Sequence, residues 1–156
     1  MWGVLSGLGF HHKGEGDGRV ARREVAVHGG HLRVGLQQLT EATRDTAPFG
    51  ANLIVHKAND RQAQDLELLV KYKAPFVITS VGDPSPVVEK VHAYGGIVFH
   101  DVISLKHARK AIAAGVDGLA CISAGAGGHT GNLSPFAFIA AVREQFDGLV
   151  VVGGRI

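Results

Sequence analysis

The chain has 156 residues, of which 46% are hydrophobic and 19% charged, with a formal net charge of +2. A domain of this size buries roughly two-thirds of its unfolded surface, so one globular domain spanning 1–156 is expected, and the mild charge excludes a disordered acidic chain and a strongly basic nucleic-acid binder. The single cysteine, Cys121, has no intramolecular disulfide partner and lies in an apolar run, which makes it a core residue of a cytoplasmic protein, and no stretch approaches the roughly 18 apolar residues of a membrane span.

The opening "MWGVLSGLGF" is apolar but has no basic n-region, so it does not read as a signal. The following "HHKGEGDGRVARREVAVHGGHLR", residues 11–33, mixes charges, glycines and the histidines His11, His12, His28 and His31 without a sustained period. Residues 11–33 are therefore expected to be irregular or disordered. The histidines read as solvated side chains; a metal site needs ligands at fixed spacing on a rigid frame, and none is expected here. A helix resumes near Val34 and runs through "LQQLTEATRD".

From Thr46 the chain alternates short apolar runs with helix-like segments, the pattern of repeated βα units and a parallel sheet. Strands are predicted at "FGANLIV" (49–55), "FVITSVG" (76–82), "GIVFHDV" (96–102), "GLACIS" (118–123) and "LVVVGG" (149–154). Between them, "DRQAQDLELLVKY" places Ala63, Leu66, Leu69 and Val70 on one face, and "SPVVEKVHAYG" does the same with Val87, Val88 and Val91. "SLKHARKAIAAG" starts at a Ser104 cap and closes at Gly115, and "SPFAFIAAVREQF" takes Ser134 as cap and Pro135 in its first turn.

Such units fit either a flavodoxin-like open sheet, with one ligand crevice, or a (β/α)8 barrel, whose site is spread over many strand ends. Asn52, Ser80, Asp101, Ser123, the Gly125–His129 loop, Gly153 and Gly154 all fall in or just past predicted strands. Small and polar groups at every carboxyl edge favour the barrel. A whole barrel takes roughly 250 residues, so the expected fold is α/β, a partial (β/α)8 TIM barrel.

The loop "CISAGAGGHTGNLSPF" carries the densest chemical signal. Two glycines before a histidine let the backbone approach a planar ligand, while the histidine, with an unperturbed pKa near 6.5, can exchange a proton at neutral pH. Taken alone, "GGH" is more readily a tight βα turn with an incidental surface histidine than a site. Its surroundings, "GVDGLACISAGAGGHTGNLSPFAFIAAVREQFDGLVVVGGRI", closely resemble nitronate monooxygenases, the 2-nitropropane dioxygenase family of FMN-dependent TIM barrels. "TAPFGANLIV" is similar to the family's third-strand motif, "VFHDVISLKHARKAIAAGVDG" to its fifth strand and helix, and "GLG" at residues 7–9 to a remnant of its second strand.

The resemblance spans about residues 34–156 and implies strands 2 to 7 of the family barrel. The family's "APM" first strand and its Gly-Thr eighth strand have no counterpart, so an incomplete barrel that self-associates through its open edges is expected. The resemblance further implies catalysis by His129, acting on the α-carbon of a nitroalkane or holding the anionic nitronate. It implies FMN contact at Asn52, Ser123, Ala124, Gly125, Gly127 and Gly128, and FMN phosphate contact at Gly153 and Gly154. His100 and Asp101, at the fifth strand's carboxyl end, read as polar rim residues of structural use only, with bordering the flavin as the alternative. The implied reaction converts alkyl nitronates and dioxygen to a carbonyl compound and nitrite. The alternatives are a flavin-dependent NAD(P)H oxidoreductase of the same barrel family and a non-catalytic remnant; neither nucleic acid nor membrane is expected as a partner.

Overall fold

The computed structural model describes residues 3–5, 32–43, 48–128 and 130–154. The elements run β1 (Gly3–Leu5), α1 (Leu32–Ala42), β2 (Phe49–Ile54), α2 (Gln62–Lys71), β3 (Phe76–Ser80), α3 (Ser85–His92), β4 (Ile97–Val102), α4 (Leu105–Ala113), β5 (Gly118–Ile122), α5 (Pro135–Arg143) and β6 (Leu149–Gly153). The strands form one sheet in chain order, and every neighbouring pair is parallel. Parallel neighbours cannot be joined by a hairpin, so each connection carries a helix back across the sheet. The chain is thus α/β, an open segment of a (β/α)8 barrel, with the parallel order expected for residues 49–154.

The boundaries differ at several points. Helix α1 starts at Leu32, so the last two residues of the stretch expected to be irregular are helical; residues 11–31 lie outside the described residues. The "GLG" at residues 7–9 also lies outside them, and the strand at this end is Gly3–Leu5, in register with Phe49–Ala51. Strands β2, β3, β5 and β6 end one or two residues short of the apolar runs, because backbone pairing stops before the loop residues begin, and β4 starts one residue late.

Alternation assigns the two faces of the sheet. Ala51, Leu53, Val77, Val98, Val102, Leu119 and Cys121 pack with Leu36, Leu66, Leu69, Val87, Val91, Ala108, Phe138 and Val142 of the helices in one buried core. The buried stripe of α2 is narrower than predicted, since Leu66 and Leu69 are covered while Ala63 in the first turn is exposed. On the opposite face Phe76 and Phe99 meet edge to face at 4.8 Å, and the Phe99 ring lies where a Cβ on Gly118 would stand. That face is the barrel interior, and its upper layer carries the polar residues.

Of the two predicted serine caps, Ser104 accepts a hydrogen bond from the His107 N–H at 3.3 Å, whereas the Ser134 side chain makes no cap bond. Ser104→Ala is therefore expected to cost about 1 kcal/mol and Ser134→Ala much less, a difference that thermal denaturation of the two variants resolves.

Candidate functional site

The loop after β5 is tied down at both ends. Ser123 is fully buried, and its N–H and its Oγ both donate to the Gly153 carbonyl, at 2.8 and 2.9 Å. The Thr130 hydroxyl donates to the Ser123 carbonyl at 2.7 Å, and Ala124 N–H to the Leu133 carbonyl at 2.9 Å. Gly131 closes the loop in a space no other residue fits, because a Cβ there would collide with the Ile122 carbonyl and lie 3.1 Å from that of Ile103.

Between these anchors the glycines leave the backbone bare. Gly125 and Gly128 hold φ of 80° and 73°, values that glycine takes without steric cost. A Cβ built on Gly127 or Gly128 meets nothing within 4 Å among the described residues. The N–H groups of Gly125, Gly127, Gly128 and Gly154 make no backbone hydrogen bond among the described residues. Gly154, at φ 153°, lies so close to Ser123 that a Cβ there would collide with its Oγ and approach the Ala124 carbonyl to 3.0 Å. The ends of β5 and β6 thus meet through glycine and serine, with open space above a row of unengaged backbone donors. Such donors suit an anionic or planar ligand resting on the backbone, which is what an FMN phosphate and ring would require. His129 itself lies outside the described residues.

A second polar group sits on the same face of the sheet, at the carboxyl ends of β2, β3 and β4. Asn52 Nδ2 donates to Ser80 Oγ at 2.9 Å, and Ser80 Oγ donates to Asp101 Oδ2 at 2.6 Å. Burial raises the Asp101 carboxyl above the usual value, and the Ser80 hydrogen bond opposes that rise. Asn52 is thus separated from the glycine loop by β3 and β4, and the site residues inferred from sequence fall into two clusters on one rim.

His100 behaves unlike its neighbour. Alternation along β4 turns it to the helix side, where it is only 5% exposed. The Thr79 hydroxyl donates to the Phe99 carbonyl at 3.0 Å and lies 2.8 Å from His100 Nδ1. With its one proton so engaged, Thr79 accepts from Nδ1–H, leaving Nε2 as the acceptor. His100 lines a cavity of about 840 Å³ with Ser80, Val81, Asp83, Asp101, His107 and Lys110. Val81 on its wall holds φ 57°, a left-handed value uncommon for a β-branched residue.

Desolvation is the largest cause of a His100 pKa lowered from 6.5 to about 4, with His107 adding to it and Asp83 opposing it. The unfolded chain binds this proton below 6.5 and the folded chain does not until about 4, so stability should fall as pH drops through that window. The loss is expected to be about 2 kcal/mol, read as a lower Tm near pH 4.5 than at pH 7, with His100→Gln flattening the slope. Cys121, on the helix side of β5, is buried and its thiol is pushed up to about 11, so it is an unreactive core residue, as its sequence context suggested.

Of the polar residues here, the sequence singled out Asn52 and the glycine loop and treated Asp101 as a rim residue. It missed that Asp101 is bonded into the Asn52 cluster and that His100 faces away from it. The period-2 pattern of "IVFHDV" contains that split, since buried Val98 and Val102 share a face with His100. Among the described residues no group of three or more histidine, cysteine or acidic side chains could hold a metal, and no helix is long and apolar enough to cross a membrane.

Comparison with known proteins agrees with this architecture. A FabK variant (M276A) from Thermotoga maritima superposes with a TM-score of 0.73 at 26% identity, over 80% of this chain and 41% of its own. A nitroalkane oxidase from Streptomyces ansochromogenes superposes with a TM-score of 0.61 at 20% identity, over 77% of this chain and 47% of its own, a likeness of fold alone. The chain thus spans less than half the length of either. A search of curated proteins finds no match. The profile of the family described as nitronate monooxygenase matches residues 18–152, which include every strand from β2 to β5, the whole glycine loop and most of β6; the chain belongs to that family.

Proposed function

We propose that this chain forms the cofactor-holding rim of an FMN-dependent nitronate monooxygenase, which oxidises alkyl nitronates with dioxygen to a carbonyl compound and nitrite. The observation that carries the reading is the open glycine loop joined to the end of β6, in a chain of the nitronate monooxygenase family.

In this reading the backbone N–H of Gly154 holds the FMN phosphate, beside Gly153, whose own N–H belongs to the β5–β6 pairing. Gly125, Gly127 and Gly128 present backbone to the ring, anchored by Ser123 and Ala124, whose N–H groups are bonded to the Gly153 and Leu133 carbonyls, and Asn52 contacts it from the far side of the rim. Bound FMN would supply the redox chemistry. His129 removes the α-proton of a neutral nitroalkane, or pairs as the imidazolium with a nitronate that has already lost it. The glycines before it keep side chains out of the space the substrate needs.

The natural full-length protein should purify yellow, with the two visible flavin bands, and consume oxygen when given an alkyl nitronate, releasing nitrite. A colourless protein that takes up no FMN on reconstitution would sink the reading. Flavin that is reduced by NAD(P)H but ignores nitronates would replace it with the oxidoreductase alternative.

A further inference from the structure

We propose that Asp101, acting through Ser80, fixes the Asn52 carboxamide with Oδ1 outward as an acceptor, making this part of the rim a reader of ligand N–H or O–H groups such as the imide edge of a flavin ring.

The argument is a count of protons. A carboxylate only accepts, so the 2.6 Å contact between Ser80 Oγ and Asp101 Oδ2 uses the one proton of the Ser80 hydroxyl. Ser80 is then left with lone pairs and must accept from Asn52, which places Nδ2, and not Oδ1, at the 2.9 Å contact. Asn52 Oδ1 and Asp101 Oδ1 make no other hydrogen bond among the described residues, and no buried side-chain polar atom there lacks a partner, so both oxygens open to accessible space. Both side chains lie on the interior face, opposite the Ala51, Leu53 and Val102 side chains of the core.

The arrangement can reverse. A protonated Asp101 can donate to Ser80 Oγ; the Ser80 proton then turns towards Asn52, whose amide rotates to offer NH2 instead of C=O. Burial, which raises the Asp101 carboxyl, brings that change nearer to neutral pH. The other titratable groups lining the same cavity are Asp83, His100, His107 and Lys110. Asp101 and Ser80 are positioning residues in this scheme, and only Asn52 meets the ligand.

The flavin as ligand rests on the proposed function, whereas the relay does not, so two measurements separate them. In the ligand-free protein, the Asn52 side-chain amide resonances should move on acidification with the same midpoint as the Asp101 carboxyl carbon. Ser80→Ala should uncouple them with the backbone spectrum unchanged, and Ser80→Thr should restore the coupling. In the second measurement, Asp101→Asn should weaken FMN binding at pH 7 by about tenfold, the scale of one misdirected hydrogen bond. Asn52 resonances that ignore the Asp101 titration would overturn the relay. FMN bound equally by wild type and Asp101→Asn would overturn its role in recognition. A protein that shows the coupled titration but binds no FMN would keep the relay and end the flavin reading.

Discussion

His129→Ala, in the natural full-length protein, is expected to leave FMN binding nearly unchanged while lowering turnover of a neutral nitroalkane by about 10²–10⁴-fold, the usual cost of losing a positioned proton acceptor. The two effects separate because the proposed cofactor contacts are backbone groups of Gly125, Gly127, Gly128 and Gly154 and the Asn52 side chain, none of which the substitution removes. The backbone on either side of His129 is constrained by glycine geometry at Gly128, φ 73°, and by the 2.7 Å bond from Thr130 Oγ1 to the Ser123 carbonyl. The loop should therefore keep its shape without the imidazole. Preformed nitronate has already lost its proton, so its turnover should fall less than that of the nitroalkane. Equal losses on both substrates would reduce His129 to an anion-binding group, and unchanged kinetics on both would remove it from the chemistry. Flavin content measured alongside distinguishes either result from a collapsed site.

What the sequence made legible follows from which interactions are local. Apolar runs separated by helix-length segments point to parallel crossover units, and the small and polar residues at every strand end select barrel order over a flavodoxin-like one, so the order from β2 to β6 was legible. The same holds for the Ser104 cap, which depends on residues three positions apart. Ser134 has the same residue type in the same position and makes no cap bond, a difference that the local pattern does not record. The glycine loop was legible because glycines at φ 80° and 73° leave few alternatives in sequence. The cluster of Asn52, Ser80 and Asp101 was not, since its members are 28 and 21 residues apart and meet only once three strands are in register. Each was visible as a polar residue at a strand end; that they share protons is a property of the sheet. His100 shows the reverse case, where adjacency to Asp101 suggested a shared role and strand alternation places the two on opposite faces.

Gly154→Ala is expected to destabilise the β5–β6 junction by about 3 kcal/mol, whereas Gly153→Ala, one residue earlier, should cost less than about 1 kcal/mol. At Gly154 two penalties combine. A φ of 153° is one that an alanine rarely adopts, and the new Cβ would collide with Ser123 Oγ and press to 3.0 Å on the Ala124 carbonyl. The serine cannot simply rotate away, because its Oγ bond to the Gly153 carbonyl at 2.9 Å holds the two strand ends together. A Cβ on Gly153 meets only the tip of Ile122 at 3.3 Å, a flexible contact that yields by a small rotation, and its φ is not in the left-handed range. For a domain of this size the larger cost corresponds to a Tm lower by roughly 10 °C, and amide exchange along Leu149–Gly153 should accelerate first, since β6 pairs only with β5 among the described strands. Ser123→Ala in the Gly154→Ala background should recover the part due to the collision and none of the part due to φ, so the double-mutant cycle measures each separately. If the two single variants were equally stable, the close approach of β6 to Ser123 would be wrong, and with it the geometry that brings Gly154 beside the open loop.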